Sequence, residues 1–279
     1  MKKTEDKVFL VTGSTDGIGK HTALSLANMG ATVLLHGRNP DKCVTVMEQI
    51  SKRTGNEKLR YYVADFTSLS DVRHLAEEVN DREGQLDVLI NNAGIGSGKL
   101  SDKRRPLSED GHELRLAVNY LAPFMLTNLL LPLLHTSAPA KIINVASIGQ
   151  RPIDFNNLML ERGYDPFDAY KQSKLALIMF TFELANQLDP ERITVNCIHP
   201  GSLLNTKMVR ESIPMGFGSA KSGADNVVYL AVSETLDKVT GRYFDKKSES
   251  QVDPQAYNNE ARKKLWHISE ELTETYSPS

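Results

Sequence analysis

Short apolar runs and amphipathic segments alternate along almost the whole chain. Runs rich in valine, isoleucine and leucine are typical of strands covered on both faces of a parallel sheet. They predict strands at 8–11, 31–36, 61–65, 86–90, 141–145 and 193–198, with a candidate seventh at 239–244. Apolar residues at helical spacing predict helices at 18–29, 41–53, 69–81, 109–134 and 169–188, and a surface helix at 260–275.

Repeated strand–helix units of this kind predict an α/β fold: a doubly wound parallel sheet of the Rossmann type, with helices on both faces and three layers in all. No change of composition marks a linker, so residues 1–279 are expected to form a single dinucleotide-binding domain. Residues 203–223 mix glycine, proline and methionine and are predicted to form a substrate lid. Residues 246–279 are predicted to form a C-terminal tail. Ligands are expected at the carboxyl ends of the strands.

Composition narrows the classes of function. Hydrophobic residues make up 40% of the 279 residues, enough for a globular core, and the net charge of −2 gives no reason to expect a nucleic acid partner. The two cysteines, Cys43 and Cys197, lie far apart without neighbours at metal-ligand spacing, so we expect no disulfide, no metal site and a reducing, cytoplasmic setting. The charged N-terminus runs directly into the first strand, so no signal peptide or membrane anchor is predicted.

The first strand leads into a glycine-rich turn and then a helix, in the sequence Thr12-Gly13-Ser14-Thr15-Asp16-Gly17-Ile18-Gly19. Gly13 permits a sharp turn, while Gly17 and Gly19 permit close approach of backbone or ligand. The free N–H groups and positive dipole end of the following helix suit a pyrophosphate. An ordinary turn with three glycines is the alternative interpretation.

Further polar residues follow the neighbouring strands. Arg38 stands where a carboxylate would bind adenosine ribose hydroxyls, and its guanidinium suits a 2′-phosphate, which favours NADP over NAD. A solvated arginine in a turn is the alternative. Asp65 could accept a hydrogen bond from adenine or lie beside a helix N-cap. The small residues of Asn91-Asn92-Ala93-Gly94 would let a cofactor lie against the sheet edge.

Tyr170 and Lys174 carry the sharpest chemical signal. They are four residues apart, on one face of a predicted helix, downstream of Ser147 at the end of the fifth strand. A phenol has a pKa near 10, and lowering it by about 3 units needs roughly 4 kcal/mol. A cation about 4 Å away supplies energy of that order, about 4 kcal/mol at an effective dielectric constant near 20. Taken alone, the tyrosine and lysine would more often be an exposed pair, and Ser147 a turn or capping serine.

Together these residues resemble the short-chain dehydrogenase/reductase family, in its single-domain branch, over roughly residues 7–244. Thr12-Gly13-x-x-x-Gly17-x-Gly19 is similar to its cofactor turn, Asn91-Asn92-Ala93-Gly94 to its fourth-strand motif, and Pro200-Gly201 to a segment that contacts the nicotinamide. Asn119, Ser147, Tyr170 and Lys174 match its catalytic tetrad. Val118-Asn119-Tyr120-Leu121, Ile153-Asp154-Phe155-Asn156-Asn157-Leu158 and Lys264-Leu265-Trp266 are most similar to the retinol-dehydrogenase-like reductases.

The resemblance implies hydride transfer between NADP(H), with NAD(H) also possible, and a carbonyl or alcohol carbon. Tyr170 is the expected acid or base, Ser147 the residue that binds the substrate oxygen, Lys174 the residue that lowers the pKa of the tyrosine and binds ribose, and Asn119 the holder of a relay water. The residues expected to bind the cofactor are Gly13, Ser14, Thr15, Gly17, Ile18, Gly19, Arg38, Asn39, Asp65, Phe66, Asn92, Ala93, Gly94, Tyr170, Lys174, Pro200, Gly201 and Leu203.

The chain departs from the family pattern in two respects. Asn205 stands where the family usually has threonine, with Thr206 next to it, which puts one carboxamide contact in question. Membrane-bound retinol enzymes begin with a hydrophobic anchor that this sequence does not show, which favours a soluble homologue with a different substrate.

The sequence also gives expectations for the substrate, for the partners of the protein and for alternative functions. The substrate pocket is expected to be lined by Ile148, Gly149, residues 151–164 and the lid residues 203–217. Apolar side chains of these two segments (Ile153, Phe155, Leu158, Met208, Met215 and Phe217) suggest a small apolar substrate, unless they only cover the core. The basic run 99–105 would attract an anion or lie as a solvated loop. Helices 109–134 and 169–188 form homodimers in many relatives, although monomers also occur. A non-catalytic dinucleotide-binding regulator and a nucleotide-sugar epimerase are the rival functions.

Overall fold

The computed structural model describes residues 2–98, 104–202, 204, 206 and 218–274. The strands are β1 (Val8–Val11), β2 (Thr32–Gly37), β3 (Leu59–Val63), β4 (Val88–Asn91), β5 (Ala140–Val145), β6 (Ile193–His199), β7 (Tyr243–Asp245) and β8 (Ser248–Glu249). The main helices are α1 (Gly17–Asn28), α2 (Pro40–Thr54), α3 (Leu69–Arg82), α4 (Leu114–Thr136), α5 (Pro166–Gln187), α6 (Ala220–Val232) and α7 (Asn259–Thr273).

The strands form one sheet in the order β3-β2-β1-β4-β5-β6-β7-β8. The first seven are parallel, and β8 pairs antiparallel with β7. One core cluster joins the sheet to α3, α4, α5 and α7, and a second joins it to α1, α2 and α6. The predicted three-layered, doubly wound sheet is therefore confirmed, and the antiparallel edge strand is an addition. The strand order reverses between β1 and β4, where this fold class binds its ligands.

Side-chain caps fix where several helices begin. Asn39 accepts a hydrogen bond from the Lys42 amide, and Ser68 accepts one from the Asp71 amide. Asp165 caps α5 and is followed by a proline, a residue well suited to the first helical position. Helix α5 therefore begins at Pro166, ahead of the predicted 169.

Helix α4 departs from its predicted bounds. It begins at Leu114 instead of 109, because a bridge between Leu107 and Glu113 and a positive φ of 82° at Gly111 fold the preceding residues into a turn. Residues Ala117–Leu121 adopt a π-turn within this helix. The helix is long and apolar enough to cross a membrane, but 78% of its most apolar window is buried inside the domain. It is therefore a core helix of the domain.

The C-terminal end of the predicted lid is helical in the structure. Helix α6 was not predicted, and its first turn takes up residues 220–223, which the lid prediction had included. Of the other predicted lid residues, Leu204, Thr206, Gly218 and Ser219 are described, and Leu203, Asn205 and 207–217 lie outside the described residues.

The predicted C-terminal tail is folded against the domain as far as Glu274. The Arg262 side chain forms a buried ion pair of 3.1 Å with Glu183 of α5. The Trp266 ring lies 5.0 Å from the Phe124 ring of α4 and 5.8 Å from the Phe180 ring of α5, centroid to centroid. The sequence indicated a surface helix here because few of the residues of α7 are apolar. The structure buries only a few of its residues, and these hold it against α4 and α5.

Candidate active site

A cleft of about 670 Å³ runs across the carboxyl ends of the parallel strands. It passes over the point where the strand order reverses, which agrees with the expected ligand position. Most of the predicted site residues line it: Gly13, Thr15, Gly17, Ile18, Gly19, Arg38, Asp65, Phe66, Asn92, Ala93, Gly94, Ser147, Tyr170, Lys174, Pro200 and Gly201.

The glycine turn is packed against the end of β4. Gly13 has a φ of 63°, and a Cβ there would lie 2.8 Å from the Ala93 Cα atom. A Cβ on Gly19 would collide with the Gly13 carbonyl oxygen and the Asn92 side-chain nitrogen. Asn92 Nδ2 donates to the carbonyl oxygens of Thr12 at 2.8 Å and Gly13 at 3.1 Å. The glycines therefore bring two strand ends and the N-terminus of α1 together at the cleft.

A histidine that the sequence analysis did not single out lies directly beneath this turn. The Gly13 amide donates to His36 Nδ1 at 3.1 Å, so the ring proton is on Nε2 and is donated to the Ala64 carbonyl oxygen at 3.2 Å. The ring stacks on Phe66 with centroids 4.5 Å apart. Burial lowers the pKa of His36 to about 4, so the ring is neutral at pH 7. One imidazole thus links the ends of β1, β2 and β3.

Two predicted cofactor residues lie outside the cleft lining. Ser14 is fully buried, and its amide donates to the His36 carbonyl oxygen at 2.9 Å while its hydroxyl accepts from the His36 amide at 2.8 Å. Asn39 is used as the cap of α2. The Ser14 groups are committed to the His36 backbone, whereas Asn39 is exposed and only its side-chain oxygen is engaged, so its contact with the cofactor stays a prediction.

Arg38 and Asp65 stand together at the adenosine end. The guanidinium lies 3.8 Å from an Asp65 carboxylate oxygen, and the arginine side chain is 69% exposed. Asp65 also accepts a hydrogen bond from the Thr67 amide at 3.0 Å. A weakly held, exposed arginine at a cleft wall is free to turn toward an anion.

Ser147 and Tyr170 meet at the other end of the cleft. Ser147 Oγ accepts from the Gly149 amide at 3.1 Å. A Cβ on Gly149 would lie 3.5 Å from that oxygen and 3.8 Å from the Tyr170 ring, so the serine and the tyrosine border the same space. Burial raises the pKa of Tyr170, and the Ser147 side chain acts in the opposite direction. The structure therefore places the predicted serine and tyrosine next to each other.

Lys174 lies one helical turn from Tyr170, on the same face of α5. The ammonium donates to the Val145 carbonyl oxygen at 2.9 Å and lies 6.0 Å from the centroid of the tyrosine ring. Burial lowers the pKa of Lys174 to about 8. The structure therefore places a buried cation beside the tyrosine, and its lowering of the tyrosine pKa stays a prediction.

Asn119 lies on the π-turn of α4, immediately behind Gly94. Its Oδ1 accepts from the Ile95 amide at 2.8 Å, and its Nδ2 donates to the Ile95 carbonyl oxygen at 3.0 Å and to Ser173 Oγ at 3.0 Å. A Cβ on Gly94 would lie 3.0 Å from the Asn119 oxygen. The amide is fully buried and ties the loop after β4 to α5, and π-turns of this kind are frequent at functional sites.

The structure agrees with part of the predicted substrate lining. Ile148, which is 59% exposed, and Gly149 line the cleft as predicted, together with Ile95, Val118 and Phe167. Leu204 and Thr206 of the predicted lid also line the cleft, Thr206 beside Gly17. Ile153 and Leu158 are instead buried in the core, with Phe155 packed against it. A three-residue helical spacing between Phe167 and Tyr170 on one face of α5 was available in the sequence and would have indicated Phe167.

The comparisons with known proteins agree with this geometry. The short chain dehydrogenase family model matches residues 7–215. Retinol dehydrogenase 13 of Mus musculus is 38% identical over an alignment that covers 95% of this chain and 83% of the relative. The solved structure of an uncharacterized protein from Mycobacterium paratuberculosis superposes with a TM-score of 0.79 at 29% identity, over 98% of this chain and 96% of that one.

A structure with bound dinucleotide is also similar. The Pseudomonas aeruginosa RhlG/NADP active-site complex has a TM-score of 0.71 and 29% identity, over 88% of this chain and 97% of that one. The match of the family model, the sheet topology and the serine–tyrosine pair in the cleft lead to one conclusion. The chain belongs to the short-chain dehydrogenase family and is a dinucleotide-dependent oxidoreductase.

Proposed function

We propose that the protein transfers a hydride between NADP(H) and the carbonyl or alcohol carbon of a small, largely apolar substrate. The observation that carries this proposal is the placement of Ser147 and Tyr170 side by side at the cleft wall, with the buried Lys174 one helical turn from the tyrosine. A serine and a tyrosine so arranged hold a carbonyl oxygen and supply its proton, which is the general acid chemistry that a reduction requires.

The described residues fit a dinucleotide. The N–H groups at the start of α1 face a turn whose glycines leave no side chain in the way, which suits a pyrophosphate. Lys174 is a buried cation at the cleft wall, suited to ribose hydroxyls, and Pro200 and Gly201 line the nicotinamide end. When bound, the reduced cofactor supplies the hydride.

The chain's own residues manage the proton and the substrate oxygen. Tyr170 donates the proton to the substrate oxygen in reduction and accepts it in oxidation. Ser147 holds the same oxygen and favours the ionised tyrosine. Lys174 orients the ribose and adds a nearby positive charge. Asn119 anchors the π-turn beside this group, and its part in a water-mediated proton path stays a prediction.

NADP(H) is the proposed cofactor, with NAD(H) as the alternative. Arg38 is exposed at the adenosine end, where its charge and fork geometry suit a 2′-phosphate. The Pseudomonas aeruginosa RhlG complex, a structural relative, contains NADP. Asp65 lies beside Arg38, and its carboxylate would repel a 2′-phosphate. The preference for NADP(H) over NAD(H) therefore depends on the positive charge of Arg38.

An apolar substrate is proposed from the lining of the catalytic end. Ile148 exposes most of its side chain next to Ser147, and Phe167 and Ile95 line the same region. An aliphatic side chain exposed beside the reacting group gives a ligand apolar surface to bury.

A cofactor-dependent turnover screen tests the proposal. NADPH and NADH would each be supplied with aldehydes, ketones and retinal, and NADP and NAD with lipophilic alcohols, following absorbance at 340 nm. We expect NADPH-dependent reduction that improves as the apolar part of the substrate grows. Tight dinucleotide binding without turnover on any carbonyl would contradict the proposal and favour a non-catalytic regulator.

The cellular location and the oligomeric state also remain proposals. We propose a cytoplasmic location, which fractionation of cells that express the protein tests. Helix α7 already covers part of α4 and α5, because Trp266 packs against both helices and Tyr120 is hydrogen bonded to Ser269. A homodimer through α4 and α5 would therefore have to form with α7 in this position. Sedimentation velocity decides between a dimer and a monomer.

A further inference from the structure

A tyrosine on β7 reaches across the sheet to the backbone of the proposed catalytic serine. Tyr243 is 2% exposed, and its hydroxyl donates to the carbonyl oxygen of Ser147 at 3.1 Å. Burial raises the pKa of Tyr243, so its phenol stays protonated and remains a donor across the working pH range. The same carbonyl accepts a second hydrogen bond, of 3.3 Å, from Gln150 Nε2.

The C-terminal segment completes this arrangement. Gln150 Oε1 accepts from the Asp253 amide at 2.8 Å. The side-chain amide of Gln255 pairs with both backbone groups of Ile153, accepting from its amide at 2.6 Å and donating to its carbonyl oxygen at 3.1 Å. The loop that follows Ser147 is therefore held by residues about a hundred positions further along the chain.

Ser147 needs such support because it lies beyond the end of its strand. Strand β5 ends at Val145, and the Ala146 amide makes the last bond to β6, donating to the Ile198 carbonyl oxygen at 2.8 Å. Past that point the sheet no longer fixes the backbone. Orientation of the Ser147 peptide then depends on what its carbonyl oxygen is bonded to, and the hydroxyl must face Tyr170 for the proposed chemistry.

We propose that Tyr243 is a positioning residue that holds Ser147 in its catalytic orientation. The proposal rests on the proposed function, since it assigns Tyr243 a part in that reaction. The hydroxyl of Tyr243 acts only through the serine backbone. Its loss leaves the dinucleotide end of the cleft intact and loosens the serine–tyrosine pair.

The substitution Tyr243→Phe tests this, because it removes one oxygen and keeps the buried ring. We expect kcat to fall on the order of tenfold, since small misplacements of a catalytic group are costly, with the dinucleotide dissociation constant unchanged. Tyr257→Phe is the matched control, as it removes a hydroxyl from a 49% exposed tyrosine of the same C-terminal segment. That control should keep the parental kcat.

The pH profile of alcohol oxidation gives a second readout that a purely structural role would not move. Ser147 lowers the pKa of Tyr170, so a displaced serine shifts the rising limb of the profile to higher pH. The titratable groups beside Tyr170 are Lys174 of α5 and Tyr243 of β7. His199 of β6 interacts with Lys174. Tyr243 also interacts electrostatically with Tyr170, so a shift is assigned to the serine only when the Gly149 amide, which is bonded to Ser147 Oγ, changes with it.

Hydrogen exchange separates failure of this inference from failure of the proposed function. The Gly149 amide is bonded to Ser147 Oγ, so its exchange should become faster in Tyr243→Phe whether or not a substrate is known. A variant with parental kcat, pH profile and Gly149 exchange would overturn the inference. An inactive wild-type protein whose Gly149 exchange still responds to Tyr243→Phe would overturn only the proposed reaction.

Discussion

The two ends of the cleft are built in different ways. The adenosine end consists largely of main-chain atoms at the ends of adjacent strands, brought together by Gly13, Gly19 and one buried imidazole. The catalytic end consists of side chains from β5, α5 and β7, held by hydrogen bonds across long stretches of sequence. The adenosine end is therefore shaped mainly by backbone atoms, whereas the catalytic end is shaped by side chains.

The largest effect expected from this division is at the catalytic end. Tyr170→Phe should lower kcat by at least ~10²-fold, because the proton donor is removed, and leave dinucleotide affinity nearly unchanged. Stopped-flow turnover with NADPH and a dinucleotide titration by fluorescence measure the two quantities. Tyr229→Phe on α6, whose hydroxyl contacts only Thr235 among the hydrogen bonds of the described chain, serves as the control. Parental turnover in Tyr170→Phe would remove the tyrosine from the mechanism.

The complementary change is at the glycine turn. In Gly19→Ala the new methyl group meets the Gly13 carbonyl and the Asn92 amide, so the turn must move away from β4. We expect the free energy of unfolding to fall by up to about 3 kcal/mol and dinucleotide affinity to fall with it. Gly84→Ala, with no atom within 4 Å of the new methyl, is the control in denaturant unfolding. Unchanged affinity in Gly19→Ala would show that the turn does not contact the dinucleotide.

His36 adds a pH dependence to the adenosine end. Its folded pKa of about 4 lies below the ordinary value of 6.5, so the unfolded chain binds more protons between these values. Stability therefore rises with pH across this window, by about 3 kcal/mol from this group, is fully present above about 6.5, and is lost as pH falls toward 4.

The variant His36→Phe keeps a ring on Phe66 and abolishes the titration. Denaturant unfolding at several pH values from 4 to 6.5 should show a slope reduced relative to the parental protein, because carboxylates contribute equally in both. His74→Phe replaces an exposed histidine of α3 and should keep the parental slope. Identical slopes in the parental protein and His36→Phe would show that the imidazole titrates normally.

The smallest expected effect concerns the choice between cofactors. Arg38→Ala should weaken NADPH binding about tenfold, the worth of a hydrogen bond to a charged group, and leave NADH binding nearly unchanged. Isothermal titration with both dinucleotides measures the ratio. Arg53→Ala, at the far end of α2, is the control. Equal weakening of NADPH and NADH would argue that Arg38 acts on a part that both cofactors share.

The sequence could predict those parts of the fold and site that are marked by signals within a few residues. The glycine turn, the strand ends and the helical spacing of Tyr170 and Lys174 are signals within a few residues, and the structure brings these groups into one cleft. Ser14 was assigned to the cofactor because it lies in the glycine motif, but its amide and hydroxyl are hydrogen bonded to the His36 backbone. Proximity in sequence does not say which way a side chain points.

Contacts between residues far apart in the chain could not be predicted from the sequence pattern. Nothing local marks Tyr243 as a partner of Ser147, or His36 as a partner of Gly13, because each contact depends on the register of neighbouring strands. Helix α6 was missed because its glycine-containing start adjoins the irregular segment assigned to the lid. Helical spacing predicts that Lys174 and Tyr170 share a face of α5, but it cannot give the distance between the ammonium and the phenol oxygen, which depends on the two rotamers.

Trp266 is the single tryptophan of the chain, and it packs against the rings of Phe124 and Phe180. The protein therefore carries one indole fluorophore, at the interface between its last helix and the rest of the domain. Emission from this indole will move to longer wavelength when this interface admits water, so undocking of the last helix can be followed optically without any label.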